Sequence, residues 1–261
     1  MSRLFTPLKI GELTLENRIV VAPMCQYAVE DGVAADWHLI HLGHLSLSGA
    51  GLLIVEATAV SAVGRISPND LGIYSDACEA GLARALAAAR AHSDVPFAIQ
   101  LGHAGRKASS ETPFRGGAQI PPDAAEGWRT EAPSAVGHGA KDAPPAALDE
   151  DGLERVKGDF VAAARRAVRL GFSGIELHMA HGYLLHQFLS PLSNLRNDAW
   201  GGDLAGRMRF PLEVFDAVRA AVPESVPVWV RVSATDWTRG GLEVEDVARL
   251  GHELKARGCA A

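Results

Sequence analysis

Five short apolar runs, rich in β-branched residues, punctuate the chain at residues 19–23, 52–59, 97–101, 174–178 and 228–232. Their hydrophobicity is continuous rather than alternating, which predicts strands buried on both faces, as in a parallel sheet. Between the runs, apolar positions at helical spacing predict helices over 36–48, 76–92, 149–170 and 204–221, and a last one over 244–257. In the third of these, Leu153, Val156, Phe160, Ala164 and Ala167 repeat on one face, and Gly171 stands where a C-terminal cap belongs. A small hairpin over 8–15, turning at Gly11-Glu12, precedes the first strand. Strand–helix alternation with short connections is the pattern of βαβ units.

Residues 103–148 break the rhythm: they are rich in Gly, Pro and Ala and show no sustained period. Connections this long inside compact domains are usually functional, so this stretch is expected to cap the top of the sheet within one domain spanning 1–261. Five βα units leave two architectures, a doubly wound open sheet or an incomplete eight-stranded barrel. No Gly-x-Gly-x-x-Gly follows the first strand, which weighs against a dinucleotide-binding sheet. A complete barrel takes about 250 residues or more, whereas here the excursion consumes chain, and Gly258 to Ala261 fall where a sixth strand is expected to begin. The predicted fold is α/β, a (β/α)8 TIM barrel truncated at the C-terminus after about five units.

Composition narrows the function classes. The 261 residues are 48% apolar and 21% charged, an ordinary globular balance, and no run is long enough to span a bilayer. A net charge of −6 with no basic block lacks the footprint of nucleic-acid binding. The first residues carry neither a secretory h-region nor a transit pattern. Three widely spaced cysteines, Cys25, Cys78 and Cys259, predict free thiols in a reducing cytoplasm rather than a disulfide framework.

Active sites of β/α barrels lie at the C-terminal ends of the strands. There the sequence places Ala22-Pro23-Met24-Cys25-Gln26-Tyr27, Ala57-Thr58, Gln100 to His103, His178 to Tyr183, and Arg231 within the fifth strand. A thiol, an amide, imidazoles, phenols and a guanidinium thus converge on one rim. Cys25 alone reads more readily as an inert buried thiol. His178 and His181 form a possible zinc pair, but no obvious carboxylate joins them. A guanidinium inside a barrel strand needs a polar or anionic partner, so Arg231 points to a bound anion or a structural ion pair. His38, His41 and His44 read as a solvated or packing face, and Arg106-Lys107 as a solvated basic pair.

The stretches NRIVVAPMCQY, DWHLIHLG, GAGLLIVEATAV, QLGHAGRKA, GFSGIELHMAHGYLLHQFLSPLSNLRND and GGDLAGRMRF, in this order, resemble the Old Yellow Enzyme family of FMN-dependent ene-reductases. The likeness covers the whole chain and is closest to the bacterial class with a cysteine after the first strand. Trp200 stands where the family often has tyrosine. The resemblance implies an NADPH- or NADH-dependent oxidoreductase that reduces activated carbon–carbon double bonds, with α,β-unsaturated carbonyl, nitro or xenobiotic compounds as substrates. It implies that Ala22, Pro23, Met24 and Cys25 line the flavin, that Cys25 tunes its potential, and that Ala57, Gln100 and Arg231 contact the ring. By the same likeness His178 and His181 bind the substrate oxygen, Tyr183 protonates the α-carbon, and Tyr27 contributes to substrate binding. Arg106-Lys107 would then be candidates to steer a nicotinamide phosphate. The family holds the FMN phosphate after strands seven and eight, which lie beyond this sequence, and its members are commonly homo-oligomers. Two other readings stand beside this one: a metal-dependent barrel hydrolase using His178 and His181, and an inactive truncated fragment.

Overall fold

The computed structural model describes residues 2–261. The chain opens with a hairpin, β1 (Leu8–Ile10) and β2 (Leu13–Leu15), joined at Gly11, whose φ of 56° is the left-handed turn conformation. There follow β3 (Val20–Val21), α1 (Asp36–Ser46), β4 (Leu52–Ala59), α2 (Asp76–Arg90) and β5 (Phe97–Gly102). After β5 come two short parallel strands, β6 (Glu131–Ala132) and β7 (Ala146–Ala147), then α3 (Glu150–Arg169) and β8 (Gly174–Met179). The chain continues through α4 (Leu184–Leu189), α5 (Leu204–Ala221), β9 (Val228–Val232) and α6 (Val244–Ala256).

Strands β3-β4-β5-β8-β9 form one parallel sheet in that order, each long crossover carrying a helix. These are five consecutive units of a (β/α)8 barrel, as the apolar runs predict. Helix starts follow from side-chain caps: Ser75 accepts the Cys78 N–H, Asp149 the Gly152 N–H and Asp203 the Gly206 N–H. The helices lie against the sheet's outer face, where Phe97, Ile99, Leu101, Ile175 and Leu177 are buried with Phe160 and Phe215 in the main core cluster. Each such buried side chain contributes roughly 1.5–3 kcal/mol. The inner face is closed at its N-terminal end by Leu15 of the hairpin, which packs with Leu52, Ile54, Ala98 and Trp229.

The first strand is shorter than its apolar run: only Val20–Val21 pair, because β4 is its single neighbour and Val20 is 40% exposed. At the other edge, the Ala260 N–H donates to Val228 O (3.0 Å) and the Val230 N–H to Ala261 O (3.4 Å), so the last residues run alongside β9. The 103–148 stretch is more ordered than its lack of period suggests. Arg196 donates to Pro133 O and Leu148 O, Trp128 Nε1 to Val63 O (3.0 Å), and Arg106 to Gly137 O (3.2 Å). Backbone carbonyls take most of these bonds, which is why no residue pattern announced them. No helix among the described residues is long and apolar enough to cross a membrane.

Candidate active site

Register sets the site. Gln100 is opposite Glu176, Glu176 opposite Trp229, Ala57 opposite Gln100 and His178 opposite Arg231. Residues at alternate positions share a face, so all of these belong to the inner surface. In the lower layer, buried Glu176 accepts from Gln100 Nε2 (2.5 Å) and Trp229 Nε1 (2.8 Å), which orients the Gln100 amide. Above it stand Gly102, His178 and Arg231.

Three side chains cluster at the end of β8. The His178 ring lies 5.0 Å from that of His181 and 4.9 Å from that of Tyr183, both nearly perpendicular to it. The Ala180 N–H donates to His178 Nδ1 (3.2 Å), so a neutral His178 carries its proton on Nε2. Burial, with His181 and Arg231 nearby, pushes the His178 pKa down to about 3. The ring therefore stays neutral and remains a hydrogen-bond donor. His181 shifts in the same direction, chiefly by burial and then by Arg231 and Lys107. Its backbone is left-handed (φ 59°), and its N–H is held by Ser233 Oγ (2.9 Å). Burial raises the Tyr183 phenol above its ordinary value, reinforced by Cys25, Tyr27 and Asp70. A phenol so placed keeps its proton until a strong base develops beside it.

Lys107 is not a solvated cation, contrary to the sequence expectation for the basic pair. Its Nζ donates to His181 O (2.9 Å) and sits 5.0 Å over the Tyr183 ring, while its neighbour Arg106 is spent on the Val136 and Gly137 carbonyls. The turn between Lys107 and Tyr183 is clamped by buried Gln187, which donates to Ala104 O (3.1 Å) and Gly182 O (2.7 Å) and accepts from the Arg106 N–H (3.2 Å). Gly105 (φ 62°) passes this amide so closely that a Cβ would overlap it.

The loop after β3 supplies the remaining residues. Ala22 and Met24 are exposed, Pro23, Cys25 and Tyr27 half-buried. The Cys25 thiol is raised well above its ordinary value by burial, with Asp70 and Glu56 adding to it. Tyr27 is pushed up to about 12, again mainly by burial and next by Cys25. Buried Asp70, raised by burial to about 6 although Ser67 and two backbone amides donate to it, lines a cavity of about 20 Å³ shared with His103, His178 and Tyr183. That is room for about one water. Sequence reasoning passed over Asp70, Gln187 and Glu56; only Glu56, a charge inside the apolar run 52–59, left a visible signal.

Among the described residues no three His, Cys, Asp or Glu side chains gather as a metal site. His38 is buried against Glu56, His41 stacks with Trp37 and His44 is exposed, so this helix face is split among three environments. Cys25, Cys78 and Cys259 are free thiols. The side chains of the inner rim suit a flat aromatic cofactor in size and charge. Ala22, Ala57 and Gly102 leave it low, and Arg231 offers a half-buried guanidinium with no hydrogen bond or ion pair among the described residues. A fixed cation there suits a ring that gains negative charge on reduction.

Parallel βα units with such a rim are those of a β/α-barrel enzyme. The chain belongs to the NADH:flavin oxidoreductase / NADH oxidase family, whose model matches residues 3–259. It is 46% identical over 248 residues to an NADH:flavin oxidoreductase of Gibberella zeae, covering 94% of this chain and 60% of that protein. It is 42% identical over 260 residues to an NADPH dehydrogenase of Listeria welshimeri, covering 99% of this chain and 71% of that protein. Among solved structures, morphinone reductase superposes with a TM-score of 0.83 at 35% identity, over 99% of this chain and 71% of the other. An Old Yellow Enzyme homologue from Zymomonas mobilis gives 0.82 at 28% identity, over 99% and 72%.

Proposed function

We propose that the protein is an FMN-dependent NAD(P)H oxidoreductase that reduces activated carbon–carbon double bonds, such as those of α,β-unsaturated carbonyl or nitro compounds. The observation that carries this reading is the His178–His181–Tyr183 cluster: two imidazoles held neutral beside a phenol held protonated, at the rim of a flavin-family barrel. The chemistry supplied by bound FMN is hydride donation to the substrate's β-carbon after reduction by NAD(P)H.

The chain's own residues do the rest. Ala22, Pro23, Met24, Cys25, Ala57, Gln100 and Arg231 would hold the ring. His178 Nε2–H and His181 donate to the substrate oxygen, which gains charge as the hydride arrives; donors that meet growing charge stabilise the transition state more than the ground state. Tyr183 then gives its proton to the α-carbon, while Tyr27 flanks the substrate. Lys107, above the Tyr183 ring, favours the phenolate left behind. A morphinone reductase structure carries tetrahydroNAD, which supports nicotinamide as the reductant here. A zinc hydrolase would need a third ligand, and among the described residues no His, Cys, Asp or Glu joins His178 and His181 as one. The test removes one oxygen: Tyr183→Phe should leave reduction of the flavin by nicotinamide unchanged and slow its reoxidation by an enone.

A further inference from the structure

A buried carboxylate that the proposed reaction does not use stands directly behind the Cys25 loop. The β4–β5 register slips between Val55 and Ala57, leaving Glu56 without a partner on β5. Such a bulge re-aims the side chains around it. Ala57 rejoins the inner face opposite Gln100, and Glu56 turns toward α1 and the loop after β3. There its Oε2 accepts the Gln26 N–H (2.9 Å), and its Oε1 lies 3.0 Å from His38 Nε2. The Ala35 N–H occupies His38 Nδ1 (3.2 Å), so a neutral His38 holds its proton on Nε2 and donates it to Glu56. Both side chains are almost wholly buried. Gln26 lies outside any strand or helix, between Cys25 and a Tyr27 whose φ of 52° is costly for a bulky residue. One carboxylate therefore anchors the middle of a strained loop through its backbone.

We propose that Glu56, oriented by His38, is the positioning residue of the Cys25–Tyr27 loop and holds a fixed negative charge against the Cys25 thiol. A bare loop of this kind would relax Tyr27 out of the left-handed region and carry Cys25 with it; the Gln26–Glu56 bond prevents this. The charge acts on the sulfur from the β4 side. Asp70 also faces the thiol, as do the neutral phenols of Tyr27 and Tyr183. Burial first, then Asp70 and Glu56, keep Cys25 a thiol at neutral pH, unreactive toward electrophilic substrates that share its pocket. That consequence rests on the ene-reductase reading, but the thiol's own chemistry does not, and it is measured with no flavin or activity involved.

The experiment is alkylation of Cys25 by iodoacetamide between pH 7 and 9, with Cys25→Ser as the blank for Cys78 and Cys259. Glu56→Gln removes the charge and should speed labelling by about tenfold at fixed pH, the scale expected for one unit-charge neighbour. Glu56→Asp keeps the charge and a carboxylate for the Gln26 N–H, and should stay near wild type. A rate unchanged in Glu56→Gln, or raised equally in Glu56→Asp, overturns the proposal, since the second outcome would mean exposure rather than charge. Amide exchange of the wild-type protein decides the positioning half even where a variant fails to fold. The Gln26 amide should exchange much more slowly than those of Met24 and Tyr27. Exchange as fast as theirs would remove Glu56 from the role.

Discussion

His178→Asn should flatten the acid sensitivity of the fold. In the native protein the ring is buried, its Nδ1 is committed to the Ala180 amide, and His181 and Arg231 disfavour a second charge, so its pKa falls to about 3. In the unfolded chain it returns to about 6.5. A depressed imidazole pKa means that the unfolded state binds the proton first. The stabilising contribution is thus complete above about pH 6.5 and is lost as the pH falls toward 3. The slope is at most about 1.4 kcal/mol per pH unit, which amounts to about 2–3 kcal/mol between pH 7 and 4.5. Urea unfolding at half-unit pH steps would measure it, with the variant's own offset at pH 7 subtracted. Wild type should lose that much more stability than His178→Asn over the interval. Parallel curves would refute the reasoning, because they would show that the ring is protonated in the native protein or is solvated.

Two further changes probe the frame around the site. Lys107→Met removes a charge-assisted bond to His181 O and a cation above Tyr183, and should cost about 1–2 kcal/mol in urea unfolding; an unchanged midpoint would mean that the ammonium is solvated. Gly127→Ala places a Cβ on the Pro121 carbonyl oxygen, so the turn must open and limited proteolysis within 111–143 should quicken, whereas wild-type resistance would count against the packing of that segment.

Much of the frame was legible in the residues. The apolar runs marked the inner strands because a parallel sheet buries both faces, and the period from Leu153 to Ala167 with Gly171 behind it marked α3. Helix α4 was not legible: its six residues, the polar His186 and Gln187 included, are all buried, so Leu184–Leu189 shows no solvated face and is too short to reveal a period. The Glu56 bulge was equally hidden, since 52–59 reads as one continuous strand and a register slip is decided by pairing with β5. The rim residues could be placed at strand ends, but not their states. That His178 is neutral depends on Ala180, His181 and Arg231 converging in space, and that Lys107 is tied down depends on a turn 74 residues later in the chain.

The central claim, that Tyr183 is the proton donor of a flavin-dependent double-bond reduction, is tested most directly by following the two half-reactions separately in Tyr183→Phe. Stopped-flow absorbance near ~450 nm reports the flavin in each. Reduction by NADPH should match wild type, while reoxidation by a simple enone slows by about 10²–10⁴, the usual loss for a general acid, and reoxidation by oxygen is spared. Equal slowing of both half-reactions, or an enone step as fast as in wild type, would contradict the account.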